Sequence, residues 1–147
     1  MTPSEAINEQ RLNAVFGVVQ SAYEDLIAIR DQKAPHCPIF IHAYDLAIPN
    51  NIGVCDNTFG PWLHPSLAFR GWTGLPIETE VVKVFMLQFR NTLVEIANAH
   101  KNVIYVETQG TLGPNDWANE LHPTPGGFDM IAAKFLAALR GVFPGRI

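Results

Sequence analysis

The chain has 147 residues, a length typical of one domain, and a net charge of −4. It contains no run of lysine or arginine, so nucleic acid is not an expected partner, because phosphate binding needs a basic surface. No stretch approaches the roughly 20 apolar residues that cross a membrane. Charged residues make up only 16% of the chain, a low fraction that favours a surface partly covered by a partner.

The start of the chain indicates a cytoplasmic protein, which bears on the state of its two cysteines. Residues 1–5 lack the basic start and the apolar run of a signal peptide. Cys37 and Cys55 are therefore expected to be free thiols, although a disulfide between them stays open. The histidines show no HxxxH spacing and the cysteines no CxxC spacing, so we expect neither a metal site nor a cofactor.

The first predicted helix begins at a capping box, Thr2-Pro3-Ser4-Glu5, and ends near Asp31. An apolar stripe runs along it in steps of three and four residues: Leu12, Val15, Val19, Ala22, Leu26 and Ile29. Such a stripe is typical of a buried seam. Packing within one chain and pairing with a second copy explain its seven-residue regularity equally well.

A short apolar run, residues 39–41, is typical of a strand buried on both faces of a parallel sheet. His42, Tyr44 and Asp45 follow this strand at its carboxyl end, where the ligands of open α/β sheets usually bind. We predict that these three side chains line a site. The alternative is that Tyr44 and Asp45 simply begin a turn.

The long stretch at 46–76 is rich in proline, glycine and asparagine. Loops of this length are usually functional or disordered, and the aromatic content argues against disorder. Its aromatic residues are Phe59, Trp62, Phe69 and Trp72. They predict a lid or the wall of an apolar pocket. A loop that packs on its own aromatics or against a second subunit explains them equally well.

A second long helix is predicted from about Ile77 to His100, and a second buried strand follows at 102–106. The buried face of the helix is marked by Val82, Phe85, Phe89, Leu93 and Ile96. Strands that alternate with helices predict parallel pairing through right-handed crossovers. Two strands alone cannot bury both faces of a parallel sheet, so we expect a homodimer that completes the sheet.

The segment 115–128 places His122 in a loop directly before the last predicted helix. Pro123 and Pro125 stiffen the backbone, and Thr124 is a good N-cap with proline at the first helical position. The apolar face that docks this helix on a core is Phe128, Ile131, Phe135 and Leu139. This arrangement would hold the His122 imidazole in a fixed direction. The alternative is a solvent-exposed loop histidine beside a helix cap.

The same segment resembles the last conserved block of the SGNH (GDSL-type) serine hydrolases, in which an Asp three residues before a His orients that His as the general base. Here His122 matches the base and Asn119 the orienting position, where an amide can accept a hydrogen bond but carries no charge. Asp116 and Glu120 are alternatives for that role. The resemblance implies ester hydrolysis and a partial flavodoxin-like, three-layer α/β fold with about two strands and three helices.

The serine nucleophile of that family has no counterpart here, since none of Ser4, Ser21 and Ser66 follows Gly-Asp. Acyl transfer by this mechanism needs a nucleophile beside the base. The first hypothesis is therefore that the chain is the second half of an ester hydrolase whose nucleophile comes from another polypeptide.

Two further hypotheses remain open at the level of sequence. One is a non-catalytic dimeric module whose loop 46–76 binds a small apolar ligand or a protein partner. The other is a hydrolase that pairs Cys37 or Cys55 with His122. In the hydrolase interpretation, the predicted substrate-binding residues are Tyr44, Asp45, Trp62 and Trp117.

Overall fold

The computed structural model describes residues 2, 5 and 7–146, which form a mixed α/β chain. Its elements, in chain order, are helix α1 (Glu9–Lys33), strand β1 (Ile39–Ile41), helix α2 (Leu63–Phe69), helix α3 (Leu75–Ala99), strand β2 (Val103–Tyr105) and helix α4 (Pro125–Val142). The predicted order is confirmed, with one addition. The stretch 46–76, predicted as a loop, contains the short helix α2, so the described residues hold four helices rather than three.

The two strands pair in parallel, as predicted, with Ile39 opposite Val103 and Ile41 opposite Tyr105. Helices α1 and α3 pack on the sheet face to which these side chains point, and the core lies between the two helices and the sheet. Its buried members are Ile27, Ile41, Ala43, Leu93, Ile96 and Val103. Phe40 and Ile104 point to the opposite face by strand alternation and are only half-buried.

Helix α1 begins later than predicted and turns a different side to the core. Asn8 is its N-cap and accepts a hydrogen bond from the Arg11 amide at 2.9 Å. Of the predicted capping box, Pro3 and Ser4 lie outside the described residues, and the Thr2 amide donates to the Glu5 carboxylate at 2.5 Å. The buried side carries Ile27 and Arg30. Of the predicted stripe, Val15, Leu26 and Ile29 are 59%, 49% and 59% exposed, so the alternative that the stripe packs within one chain is wrong for these three, and pairing with a second copy stays a prediction.

A set of hydrogen bonds made by Arg30, which apolar periodicity does not predict, accounts for the side of α1 that faces the core. The guanidinium of buried Arg30 donates to the carbonyl oxygens of Cys37, Lys101 and Asn102 at 2.8–2.9 Å. These carbonyls lie just before β1 and β2, so one side chain ties the end of α1 to the start of both strands. Ile27 and Arg30, three residues apart, share the inward side of the helix, which leaves Ile29 facing outward.

Helix α4 is held mainly by its first turn. The Thr124 hydroxyl accepts from the Gly127 amide at 3.1 Å, which confirms the predicted cap. A Cβ on Gly127 would lie 2.7 Å from the Asp116 carbonyl oxygen, so only glycine allows this close approach. The predicted apolar face is covered incompletely: Phe128 is 53% exposed, and the residues at 131, 135 and 139 are half-buried.

None of the helices in the described part of the chain has both the length and the apolar character needed to cross a bilayer.

Candidate functional site

A cleft of about 430 Å³ opens beside the carboxyl ends of β1 and β2. Two histidines line it, His42 after β1 and His122 in the loop before α4, together with Tyr44, Asp45 and Thr108. The apolar part of its wall is formed by Leu112, Trp117, Leu121, Pro123, Phe128 and Ile131. The cleft is therefore a largely apolar space with two imidazoles in its wall.

Residues 116–124, here called the His122 loop, form a closed hairpin. The His122 carbonyl accepts from the Ala118 amide at 2.8 Å, and the Asp116 carbonyl accepts from the Thr124 amide at 2.7 Å. Trp117 and Pro123 form an antiparallel bridge between these two closures. The backbone of His122 is thus fixed by the loop itself, while its side chain is exposed at the rim of the cleft.

Asn119 determines which nitrogen of His122 carries the proton. Its Oδ1 accepts from the backbone amides of Leu121 and His122 at 3.0 Å each, so the atom in that position must be the oxygen. The His122 Nδ1 lies 2.9 Å from the same oxygen and can only donate to it. When the ring is neutral, His122 is therefore held with its proton on Nδ1, and its Nε2 carries the lone pair.

The same reasoning applies to His42. The Thr108 hydroxyl donates its only proton to the Ala43 carbonyl at 3.0 Å, so its oxygen can only accept from the His42 Nδ1, also 3.0 Å away. The Phe135 ring packs edge-on against the imidazole, with 5.0 Å between ring centroids. Burial lowers the pKa of His42 below its ordinary value of 6.5, which keeps the ring neutral.

Neither Nε2 has a hydrogen-bond partner among the described residues. A neutral imidazole with a free Nε2 is both a hydrogen-bond acceptor and a general base. The site thus offers two bases in one cleft, one on its rim at His122 and one in its wall at His42.

The structure separates the three residues predicted to orient His122. Asn119 contacts the ring, as described above. The Asp116 carboxylate instead accepts from the Gly113 amide at 2.8 Å, across a short turn of 3-10 helix. Glu120 is completely buried and accepts from the amides of Asn51, Trp62, Leu63 and His64, at 2.6–3.2 Å. Asp116 and Glu120 therefore hold backbone in place rather than the imidazole.

Asp45 also serves the backbone. It is buried, and its two oxygens accept from the amides of Leu46, Gly110, Thr111 and Leu112, at 2.5–3.0 Å. With its lone pairs engaged in this way, Asp45 positions the wall of the cleft around Leu112 and is poorly placed to bind a substrate directly.

The predicted aromatic residues lie in two places. Trp117 is buried in the cleft wall beside Tyr44, with 6.0 Å between ring centroids. Trp62 lies outside the cleft lining, but its ring meets that of His122 at 71° with 6.1 Å between centroids. Phe59 and Phe69, from the same predicted pocket wall, are 62% and 85% exposed and do not line the cleft.

No serine or cysteine is found among the described residues that line the cleft. Cys37 and Cys55 are free and exposed, and Cys37 precedes β1, at the end of the strand opposite to His42. The hydroxyl of Ser66, on α2, donates to the carbonyl of Trp62, which precedes that helix, and Ser4 lies outside the described residues. The remaining hydroxyl of note is that of Tyr44, whose pKa burial raises, so that it stays protonated at neutral pH.

Thr108 is a polar residue of the cleft that was not predicted from the sequence. It follows β2, as His42 follows β1, and the parallel register brings both to the same end of the sheet. Applying the strand-end rule to both strands would have found it. In the described part of the chain, no group of three or more His, Cys, Asp or Glu side chains is arranged to hold a metal ion.

The depressed pKa of His42 predicts a pH-dependent stability. Because the folded-state pKa lies below the unfolded value of 6.5, this stabilisation is complete above that pH and is lost as the pH falls through the folded-state pKa. Urea unfolding at about pH 7.5 and about pH 5.5 should show this decline, and His42→Gln should reduce it. His36→Gln, at an exposed position, is the control and should leave the decline unchanged.

Comparisons of the chain with protein-family models, with curated protein sequences and with solved structures give no match.

Proposed function

We propose that this chain carries the base of an ester hydrolase, with His122 accepting the proton of a hydroxyl that a second polypeptide supplies. The observation that carries the proposal is the bond from His122 Nδ1 to Asn119 Oδ1, because it leaves Nε2 as the basic nitrogen beside an apolar cleft. The resemblance of the His122 loop to the SGNH hydrolases supports the same role. It also favours a partial flavodoxin-like arrangement, in which the partner covers the second face of the sheet.

The proposed reaction starts with a hydroxyl hydrogen-bonded to His122 Nε2. As its oxygen attacks the ester carbonyl, the proton passes to Nε2, and the imidazolium is held by its bond to Asn119 Oδ1. The tetrahedral intermediate then collapses, and the imidazolium returns the proton to the departing alkoxide. An exposed His122 suits this scheme, since a group on another polypeptide can reach it.

A small alcohol can stand in for the missing hydroxyl in a direct test. With p-nitrophenyl butyrate and trifluoroethanol, the protein should accelerate release of p-nitrophenol at least about tenfold, because general-base catalysis contributes at least that much. The rate should rise with the trifluoroethanol concentration, and the trifluoroethyl ester of butyrate should be the product. His122→Ala should abolish the protein-dependent rate, and His36→Ala should not. A rate that survives in His122→Ala, or no protein-dependent rate at all, contradicts the proposal.

The second candidate function is an apolar-ligand module, and the apolar wall of the cleft favours it. In that case apolar ligands raise the melting temperature, while the alcohol-dependent rate is absent from the wild-type protein and His122→Ala changes nothing.

We also propose that a second copy covers the exposed side of α1. Val15, Val18, Leu26 and Ile29 are 49–72% exposed there. Val15, Ala22 and Ile29 are spaced seven residues apart, and Val18 and Leu26 each lie four residues from Ala22 on the same side of the helix. A second α1 packed along this apolar stripe would remove it from water.

This association predicts a mass of twice 16.3 kDa by light scattering. Leu26→Glu should convert the dimer into a folded monomer, because it places a charge in the apolar stripe. Gln20→Glu adds the same charge at an exposed position outside the stripe and should leave the dimer intact. A wild-type monomer at high concentration would show that the α1 side is not a self-association surface.

A further inference from the structure

The polar groups of the cleft define what kind of molecule it accepts. Lysine and arginine are absent from the described residues that line it, and the one carboxylate in its wall, Asp45, is saturated by backbone amides. An anionic ligand would therefore meet a negative charge and no cation. A free carboxylate or a phosphate group is disfavoured on this ground.

The two imidazoles favour a ligand that donates hydrogen bonds. Both are held with the proton on Nδ1, so each can only accept at Nε2 while it is neutral. In the proposed reaction, His122 receives the attacking hydroxyl. His42 has no such role. It lines the cleft, and its Nε2 has no hydrogen-bond partner among the described residues.

The rest of the wall favours an acyl or alkyl chain. Leu112, Leu121, Phe128 and Ile131 form an apolar surface, and the space of about 430 Å³ is within the range of small-molecule pockets. Because Phe128 is 53% exposed along the side of α4, a chain lying there would also remove apolar surface from water.

From these observations we infer that the cleft binds an uncharged acyl ester of a polyol, with a free hydroxyl of the polyol donating to His42 Nε2. This inference rests on the proposed function, because it assigns His122 to the attacking hydroxyl and leaves His42 for the substrate. His42 is then a specificity-determining residue. It selects monoacyl polyol esters over simple alkyl esters, which have no donor, and over the free acid, which is charged.

Binding of three eight-carbon probes tests the inference without any catalysis. Monooctanoylglycerol, methyl octanoate and octanoate are titrated below their micelle concentrations, and tryptophan emission reports on binding because Trp117 lines the cleft. We expect monooctanoylglycerol to bind about fivefold more tightly than methyl octanoate, the worth of about one hydrogen bond, and octanoate to bind most weakly.

Variants at His42 distinguish the hydrogen bond from general packing. His42→Phe removes the acceptor and should erase the preference for monooctanoylglycerol, whereas His42→Gln retains an acceptor and should keep part of it. Circular dichroism and thermal unfolding establish that each variant is folded. His36→Phe, an exposed change, should keep the full preference.

Equal binding of the glycerol and methyl esters, tighter binding of octanoate, or failure of all three probes to bind would overturn the inference. The wild-type measurements alone are sufficient for this, even if a His42 variant fails to fold. The outcome is also separate from that of the proposed function. If His122-dependent acyl transfer to trifluoroethanol is found but monooctanoylglycerol is not preferred, only the ligand class is contradicted. If monooctanoylglycerol is preferred but no His122-dependent acyl transfer is found, only the catalytic role is contradicted.

Discussion

Replacing Glu120 by alanine should lower the free energy of unfolding by about 4 kcal/mol, because four amide donors lose a charged acceptor at once. Glu120 is completely buried, and its carboxylate joins the His122 loop to the first turn of α2 and to the backbone at Asn51. Since a domain of this size is stable by only about 5–15 kcal/mol, the loss is a large fraction of the total. Urea unfolding followed by tryptophan emission measures it.

A conservative change at the same position tests the explanation. Glu120→Gln keeps the size of the side chain, but each of the two carboxylate oxygens accepts from two backbone amides. The side-chain amide nitrogen of glutamine would therefore face two N–H donors in either orientation. The substitution should therefore destabilise by about 2 kcal/mol or more. Glu95→Ala, at an exposed position of α3, is the matched control. A loss below about 1 kcal/mol in Glu120→Ala would mean that water replaces the carboxylate freely.

Asn119→Asp is expected to raise the His122-dependent transfer to trifluoroethanol, by about tenfold or more. Three donors converge on Asn119 Oδ1, and its amide nitrogen has no hydrogen-bond partner among the described residues. A carboxylate can accept all three bonds and adds the negative charge that stabilises an imidazolium. The initial rate of p-nitrophenol release measures the effect.

Two further variants separate charge from geometry. Asn119→Leu removes the acceptor and frees the ring, so it should lower the rate. Asn98→Asp adds the same charge at an exposed position of α3 and should leave the rate as it is in the wild type. If Asn119→Asp were no faster than the wild-type protein, His122 would not develop positive charge in the rate-limiting step.

Much of the architecture follows from local pattern. Apolar periodicity predicted α1, α3 and α4, and most of their ends lie within a few residues of the prediction; the start of α1 is the exception. Thr124 and Pro125 marked the start of α4 where the structure has it. The two short apolar runs became the two parallel strands. The three-residue spacing of Asn119 and His122 is likewise a local feature, because one hairpin contains both, and the structure brings their side chains together.

The buried carboxylates show where local pattern ends. Nothing near Glu120 or Asp45 in the sequence indicates their partners, since most of the amides they bind lie between 56 and 69 residues away. Asp45 and Glu120 were both predicted to act on a substrate or on His122. An acidic side chain near a site is equally suited to either use, and only its position relative to backbone donors decides between them.

The sequence by itself determined where the two strands and the helices α1, α3 and α4 form, and that His122 lies on a short, stiff loop with Asn119 three residues before it. These features depend on contacts within one turn of helix, one strand or one hairpin. The tertiary structure alone decided which side of α1 is buried, that His42 and His122 share a cleft, and that Thr108 orients His42. Each of those depends on bonds between segments far apart in the chain, such as Arg30 with the strand starts and Thr108 with the end of β1.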